Sequence, residues 1–173
     1  VVADVLRAQP LPLAGWLPTL PPGPQCLLWL DGVGNPHNFG AILRSAAHFG
    51  AAAVLLPETS TLTLSGAAAR VAEGGAEALP LVRLGPVGES LELLRAAGFS
   101  LAATVVRDGR PLFATPAPQR LVYVLGAEGE GMDADLAGAC DMRVSIPGTG
   151  AVESLNVAAA TAVLLAHWAA RAA

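Results

Sequence analysis

The sequence contains no lysine, and all ten of its basic residues are arginines. Charged residues make up only 14% of the chain, against about 25% in an average globular domain. The net charge is −4 and the isoelectric point is about 5.2, so the chain as a whole does not attract nucleic acid. Contact with phosphate would therefore require a local arginine site. So little surface charge also indicates that part of the surface is covered, most simply by a second copy.

Cysteines and long apolar runs are scarce as well. Two cysteines are too few for a disulfide framework and lack metal-ligand spacing, so we expect no metal. The apolar run 155–170 is shorter than the roughly 20 residues that span a bilayer, and the chain begins without methionine or a signal peptide. We therefore expect a cytoplasmic protein with no membrane segment. Proline-rich residues 1–24 are predicted to be a linker or the end of a missing N-terminal region, preceding a domain at 25–173.

The remaining sequence is rich in apolar residues, which make up 53% of the 173-residue chain and suffice for one domain with a full core. Continuous apolar runs alternate with helical segments, which predicts an α/β domain with a mostly parallel sheet flanked by helices. Ligands of such sheets bind in the loops beyond the carboxyl ends of the strands. The predicted strands are 25–30, 52–57, 78–84, 99–106, 120–126 and 142–148, and the last predicted helix is 154–170.

The first polar loop leads into a helix in the segment NPHNFGAILRSAAHFG, residues 35–50. The pair Asn35-Pro36 is predicted to stop a helix, and Asn38 is a good N-cap. At helical spacing, Arg44 is a single cation on the stripe that also carries His37 and His48. The residues alone leave two interpretations of Arg44, a solvated arginine or a ligand-facing cation.

Two further polar loops follow strands. GAEGEGM, residues 126–132, has glycines that permit close approach to a ligand; it matches neither a dinucleotide fingerprint nor a P-loop. Its Glu128 is either a hydrogen-bond acceptor for amides or arginine, or a solvated turn residue. SIPGTGAVESLNVAAA, residues 145–160, leads into an apolar helix that Ser154 can cap. Asn156 needs another explanation, because asparagine is a poor helix former inside an apolar helix.

Together these three segments resemble the three motifs of the SpoU (TrmH) family of RNA 2′-O-ribose methyltransferases, over residues 26–170 and in the family's order. The resemblance implies S-adenosylmethionine as methyl donor, tRNA or rRNA as substrate, and a homodimer with sites at its interface. It also implies a SPOUT-type fold, in which the C-terminal segment forms a deep trefoil knot. The phrases NPHN, AHFG, AEGGAE and GTG resemble a bacterial branch of tRNA/rRNA methyltransferases whose catalytic domain follows a separate N-terminal region.

The resemblance also implies roles for individual residues. Gly126, Ile146 and Leu155 match positions that surround the adenosine part of the methyl donor. Arg44 matches the catalytic arginine, either as general base or as a cation that holds phosphate and stabilises the developing alkoxide. Glu128 would hold Arg44 or take the proton. The polar residues that the family groups around the arginine are Asn38, Glu128, Ser154 and Asn156.

Two other functions remain open at this point. One is a knotted methyltransferase that acts on a base instead of a ribose. The other is a catalytically idle RNA-binding module that keeps the knotted fold as a dimer scaffold. The presence of both Arg44 and Asn156 favours an active ribose methyltransferase over either alternative.

Overall fold

The computed structural model describes residues 9–172, which form one parallel sheet with helices on both faces. The strands are β1 (Leu11–Pro12), β2 (Gln25–Asp31), β3 (Ala53–Leu56), β4 (Leu81–Arg83), β5 (Ser100–Thr104), β6 (Arg110–Pro111), β7 (Arg120–Gly126) and β8 (Met142–Ser145). The helices are α1 (Leu13–Trp16), α2 (Pro36–Phe49), α3 (Gly66–Ala72), α4 (Gly75–Ala78), α5 (Val87–Ala96), α6 (Ala134–Ala139) and α7 (Val157–Ala172).

The strand order is β1-β4-β3-β2-β7-β5-β8-β6, and the paired strands run parallel. This confirms the predicted α/β class and mostly parallel sheet. Each of the six predicted strands is present; β1 and β6, of two residues each, were not predicted. The two longest strands, β2 and β7, are neighbours at the centre of the sheet. Their carboxyl ends therefore bring the first two polar loops together.

The core has two parts, one on each face of the sheet. Along β2, Leu28 and Leu30 belong to the cluster that includes α2 and α7 residues, whereas Leu27 and Trp29 belong to the cluster with α5 residues. All four side chains are at most 1% exposed. Because both faces of the strand are covered, its sequence is continuously apolar instead of alternating.

Residues 11–19 differ from the predicted linker. Leu13 and Trp16 of α1 are buried and pack on the α5 side of the sheet, and β1 pairs with β4. The proline content suggested an extended lead-in, but Leu13 and Trp16 are three positions apart, lie on one side of a single helical turn and anchor the segment by burial. Residues 1–8 of the predicted linker lie outside the described residues.

Helix α2 begins at Pro36, one residue after Asn35, so the prediction that Asn38 caps this helix is wrong. Proline suits the first helical position, because its missing N–H would have no helical partner there. The Asn35 side chain caps the helix by accepting hydrogen bonds from the N–H groups of His37 (2.8 Å) and Asn38 (3.2 Å). Asn38 is therefore inside the first turn and its side chain is free for another role.

Among residues 9–172, no helix has both the length and the apolar content needed to cross a bilayer. The same described residues contain no group of three or more histidine, cysteine, aspartate or glutamate side chains suited to a metal ion.

Candidate functional site

The side chain of Asn156 joins all three polar loops. Its Nδ2 donates to Asn38 Oδ1 (3.1 Å) and to Glu128 Oε1 (2.9 Å). The sequence separations are 118 and 28 residues, so these hydrogen bonds form only in the folded domain. Three residues that the sequence placed in separate motifs thus share one hydrogen-bond cluster.

Asn156 also caps the last helix. Its Oδ1 accepts hydrogen bonds from the N–H groups of Ala158 (2.9 Å) and Ala159 (3.4 Å). Helix α7 begins at Val157, so Ser154 is not its cap, and the predicted start at residue 154 is wrong. The helix does not start at Ser154, and the residue that caps it, Asn156, also reaches Glu128 and Asn38. Its role as a cap explains why an asparagine stands at position 156, which helix propensity alone did not explain.

Glu128 supports the start of α7 from the second loop. Its Oε1 accepts from Asn156 Nδ2 and from the Val157 backbone N–H (3.3 Å). A carboxylate is favourable there because the first N–H groups of a helix have no helical partner and carry partial positive charge. Within this chain Arg44 contacts Glu73 instead, and the interpretation that Glu128 holds Arg44 or takes the proton stays a prediction.

A cavity of about 470 Å³ lies beside this cluster. Gly126 is at its edge, where a Cβ would lie 2.5 Å from the carbonyl carbon of Gly131 and from the nitrogen of Met132. Any side chain there would force the loop away from the strand end. The predicted residues that line the cavity are Gly126, Glu128, Ile146, Ser154, Leu155 and Asn156. Residues that the sequence analysis missed also line it, and they include Thr104, Val105 and Val106 at the end of β5.

The cavity wall is acidic. Glu128, Glu130 and Glu153 line it, and its lining residues include no arginine. Glu153 also forms an ion pair with Arg107 at 3.4 Å, but both side chains are more than 70% exposed. The remaining wall is largely aliphatic, from the ends of β5 and β8 and the first turns of α7. Such a wall suits a compact ligand that is apolar in part and carries positive charge.

Arg44 lies outside the cavity lining. Its Nη1 contacts Glu73 Oε1 at 2.9 Å, and the two side chains are 58% and 61% exposed. Asn38 is outside the lining too, but it joins the site through Asn156. One chain therefore brings Glu128, Ser154 and Asn156 to the cavity lining and joins Asn38 to them through Asn156, whereas Arg44 is not among the lining residues.

The family assignment follows from comparison with known proteins. The model of the SpoU rRNA Methylase family matches residues 25–166. The chain belongs to the SpoU family. It is 43% identical over 143 residues to YfiF, an uncharacterized tRNA/rRNA methyltransferase of Escherichia coli O157:H7. It is 40% identical over 139 residues to the 23S rRNA (guanosine-2′-O-)-methyltransferase RlmB of Escherichia coli strain K12.

These matches cover most of this SpoU chain but only part of its relatives. They span 83% and 80% of this chain, against 41% of YfiF and 57% of RlmB. Among solved structures, an AdoMet-bound rRNA methyltransferase from Sinorhizobium meliloti superposes with a TM-score of 0.82 at 27% identity. That match covers 92% of this chain and 60% of the other. A TrmH-family RNA methyltransferase from Porphyromonas gingivalis gives 0.76 at 34% identity, covering 86% and 61%.

Glu73 is the main polar residue near the motifs that sequence reasoning did not assign. It lies in the phrase AEGGAE, residues 72–77, which the sequence analysis noted only as a likeness to one bacterial branch. A carboxylate directly before two glycines is a turn signal, but nothing in the sequence indicates that the turn lies against Arg44.

Proposed function

We propose that this SpoU domain catalyses transfer of a methyl group from S-adenosylmethionine to a ribose 2′-hydroxyl of rRNA or tRNA. One observation carries the proposal: Asn156 bonds to both Asn38 and Glu128 at the rim of the cavity. Three separate motifs thereby meet beside a ligand-sized space. The relatives named as 2′-O-methyltransferases support the same chemistry.

The cavity fits the methyl donor in size and charge. Its 470 Å³ is within the range of small-molecule sites, roughly 300–1,000 Å³. Aliphatic Ile146 and Leu155 would flank the adenosine, and Gly126 leaves room for the ligand to approach the backbone. When bound, S-adenosylmethionine supplies a methyl carbon activated by a positively charged sulfur, which acidic walls favour. The chain's residues then have to orient the hydroxyl and receive its proton.

The cavity lining holds three glutamates and no arginine, so a cation that contacts RNA phosphate would come from outside the lining. Arg44 is exposed and outside the lining, and we propose that it completes the cavity of a second copy in a homodimer. A guanidinium stays protonated in proteins, which favours the cationic role over that of general base. Arg44 would then hold phosphate and stabilise the developing alkoxide.

The remaining polar residues would orient the ribose and move its proton. Ser154 has an exposed hydroxyl on the cavity wall, and no helix cap occupies it. Glu128 Oε1 already accepts hydrogen bonds from Asn156 and from Val157 at the start of α7. The other carboxylate oxygen, Oε2, would accept a hydrogen bond from the ribose hydroxyl and receive its proton. Asn156 and Asn38 keep that carboxylate in place.

Three further features belong to this proposal. The C-terminal segment that carries Asn156 and α7 would form the deep trefoil knot of SPOUT proteins. Residues 25–173 would be the catalytic domain, with a separate region before it that selects the RNA; the chain spans only 41% of YfiF and 57% of RlmB. Action on tRNA or rRNA would place the protein in the cytoplasm.

The test incubates the full-length protein with labelled S-adenosylmethionine and total RNA, and then maps 2′-O-methyl linkages by their resistance to alkali. The variant Arg44→Ala should bind the donor normally and lose transfer by about 100-fold or more, as expected for an electrostatic stabiliser. A mixture of inactive Arg44→Ala and Glu128→Gln proteins should regain activity, because a mixed dimer has one intact composite site.

Each alternative has its own outcome. Label on a base would identify a base methyltransferase, and donor binding without any transfer would identify an idle RNA-binding module. Wild-type activity in Arg44→Ala would overturn the role of Arg44. Failure of the two variants to complement each other, although they form mixed dimers, would contradict the composite site.

A further inference from the structure

Glu73 has an unusual backbone for its residue type. It ends helix α3 with φ of 45° and ψ of 52°, in the left-handed region. A residue with a Cβ is disfavoured there, and glycine is the usual occupant. The next residue, Gly74, also has positive φ, at 86°. A glutamate at this position incurs conformational strain that glycine would avoid. We therefore expect the Glu73 side chain to have a role that offsets this strain.

The turn that bears Glu73 lies directly on helix α2. A Cβ on Gly75 would lie 2.9 Å from the Leu43 carbonyl oxygen and 3.0 Å from Arg44 Cα. The backbone of the turn therefore touches the backbone of the helix at the residue that carries the guanidinium. This close approach fixes where the Glu73 carboxylate lies relative to Arg44.

Stability does not explain the ion pair. Arg44 Nη1 and Glu73 Oε1 are 2.9 Å apart, yet both side chains are more than half exposed. Exposed ion pairs contribute little to folding, because water and salt screen them and two side chains lose freedom. A strained residue in a weak stabilising contact indicates a functional constraint.

We propose that Glu73 is a positioning residue for Arg44, and the inference rests on the proposed role of that arginine. A free arginine side chain samples many rotamers, so each single orientation has a low population. Glu73 contacts one terminal nitrogen of Arg44, Nη1, and a guanidinium has five N–H donors in all. Glu73 therefore anchors the fork and leaves its other donors for phosphate or a developing alkoxide.

The deciding variants are Glu73→Gln and Glu73→Gly in the full-length protein. Both remove the charged anchor, but glycine also relieves the strained backbone, so Glu73→Gly should unfold at the same or a higher temperature. If Glu73 positions Arg44, both variants lose about 10- to 100-fold in kcat, as for misplaced catalytic groups, while the Kd for S-adenosylmethionine is unchanged. The matched control Glu77→Gln removes an exposed charge from the same segment and should behave as wild type.

A second measurement does not depend on activity. The NMR order parameter of the Arg44 side-chain Nε–H should fall in Glu73→Gln and Glu73→Gly but not in Glu77→Gln. Unchanged kcat and an unchanged order parameter in both Glu73 variants would overturn the inference. If the wild-type protein transfers no methyl group, the proposed function fails, yet the order parameter still shows whether Glu73 restrains Arg44.

Discussion

Replacing Asn156 with alanine should separate the two tasks of this side chain. The change removes the cap of α7, in which Oδ1 accepts from Ala158 and Ala159. It also removes the bridge from Nδ2 to Asn38 and Glu128. Loss of a cap costs about 1 kcal/mol. Loss of a hydrogen bond to a charged group costs about 1.5–3 kcal/mol, and the lower end applies because these side chains are exposed.

The free energy of unfolding should therefore fall by about 2–3 kcal/mol in Asn156→Ala. For a chain of this size, about 2–4 °C is lost per kcal/mol, so the melting temperature should fall by about 4–12 °C. Urea denaturation followed by circular dichroism measures the first quantity, and calorimetry measures the second. The matched control is Asn35→Ala, which removes a side-chain cap of α2 and should cost only about 1 kcal/mol.

A double-mutant cycle with Glu128→Ala isolates the bridge, because alanine leaves no acceptor for Asn156 Nδ2. If Asn156 and Glu128 interact as in the structure, the two changes together should cost less than the sum of their separate effects. The reasoning is refuted if Asn156→Ala costs no more than Asn35→Ala, because the bridge between the motifs would then be absent in solution.

Two other positions give sharp expectations. Gly40→Ala should lower the free energy of unfolding by about 1–3 kcal/mol, since the new Cβ would lie 2.5 Å from the Ala68 carbonyl oxygen. The control Gly88→Ala, in α5, should be neutral or stabilising, because a Cβ there meets open space. Burial, with a smaller contribution from Arg171, lowers the pKa of His167 below its usual 6.5. Its neutral form therefore stabilises the fold at neutral pH, and that stability should decline as the pH falls below about 6.5. His167→Gln should flatten the pH dependence of urea unfolding in this range; an unchanged slope would contradict the assignment.

The fold class could be predicted from the sequence because strands buried on both faces of a sheet are continuously apolar. Strands β2 and β7 are continuously apolar at the centre of the sheet, and such runs between helices are typical of a parallel sheet. The very short β1 and β6 could not be predicted, since two residues carry no period. Leu13 and Trp16 were misjudged for a related reason: in a proline-rich segment, burial is decided by the surface that the segment meets.

Helix starts were predicted to within a turn, but their caps were misassigned. Both starts offer two residues able to cap, Asn35 or Asn38 and Ser154 or Asn156, and local propensity hardly separates them. Proline at the first position of α2 favours Asn35. At α7 the choice depends on Glu128, which is distant in sequence and reaches Asn156 only after folding. Long-range contacts of this kind are absent from any local pattern.

The position of Arg44 was the hardest to predict, because the sequence shows which stripe of α2 carries it but not what that stripe meets. The structure separates it from the acidic cavity wall and pairs it with Glu73. For the proposed reaction this separation is useful, since the donor is cationic and the RNA is anionic. The lining of the cavity carries three glutamates and no arginine, which suits the cationic donor. In the proposed homodimer, Arg44 would be held by Glu73 on one copy and would meet the RNA at the cavity of the other copy.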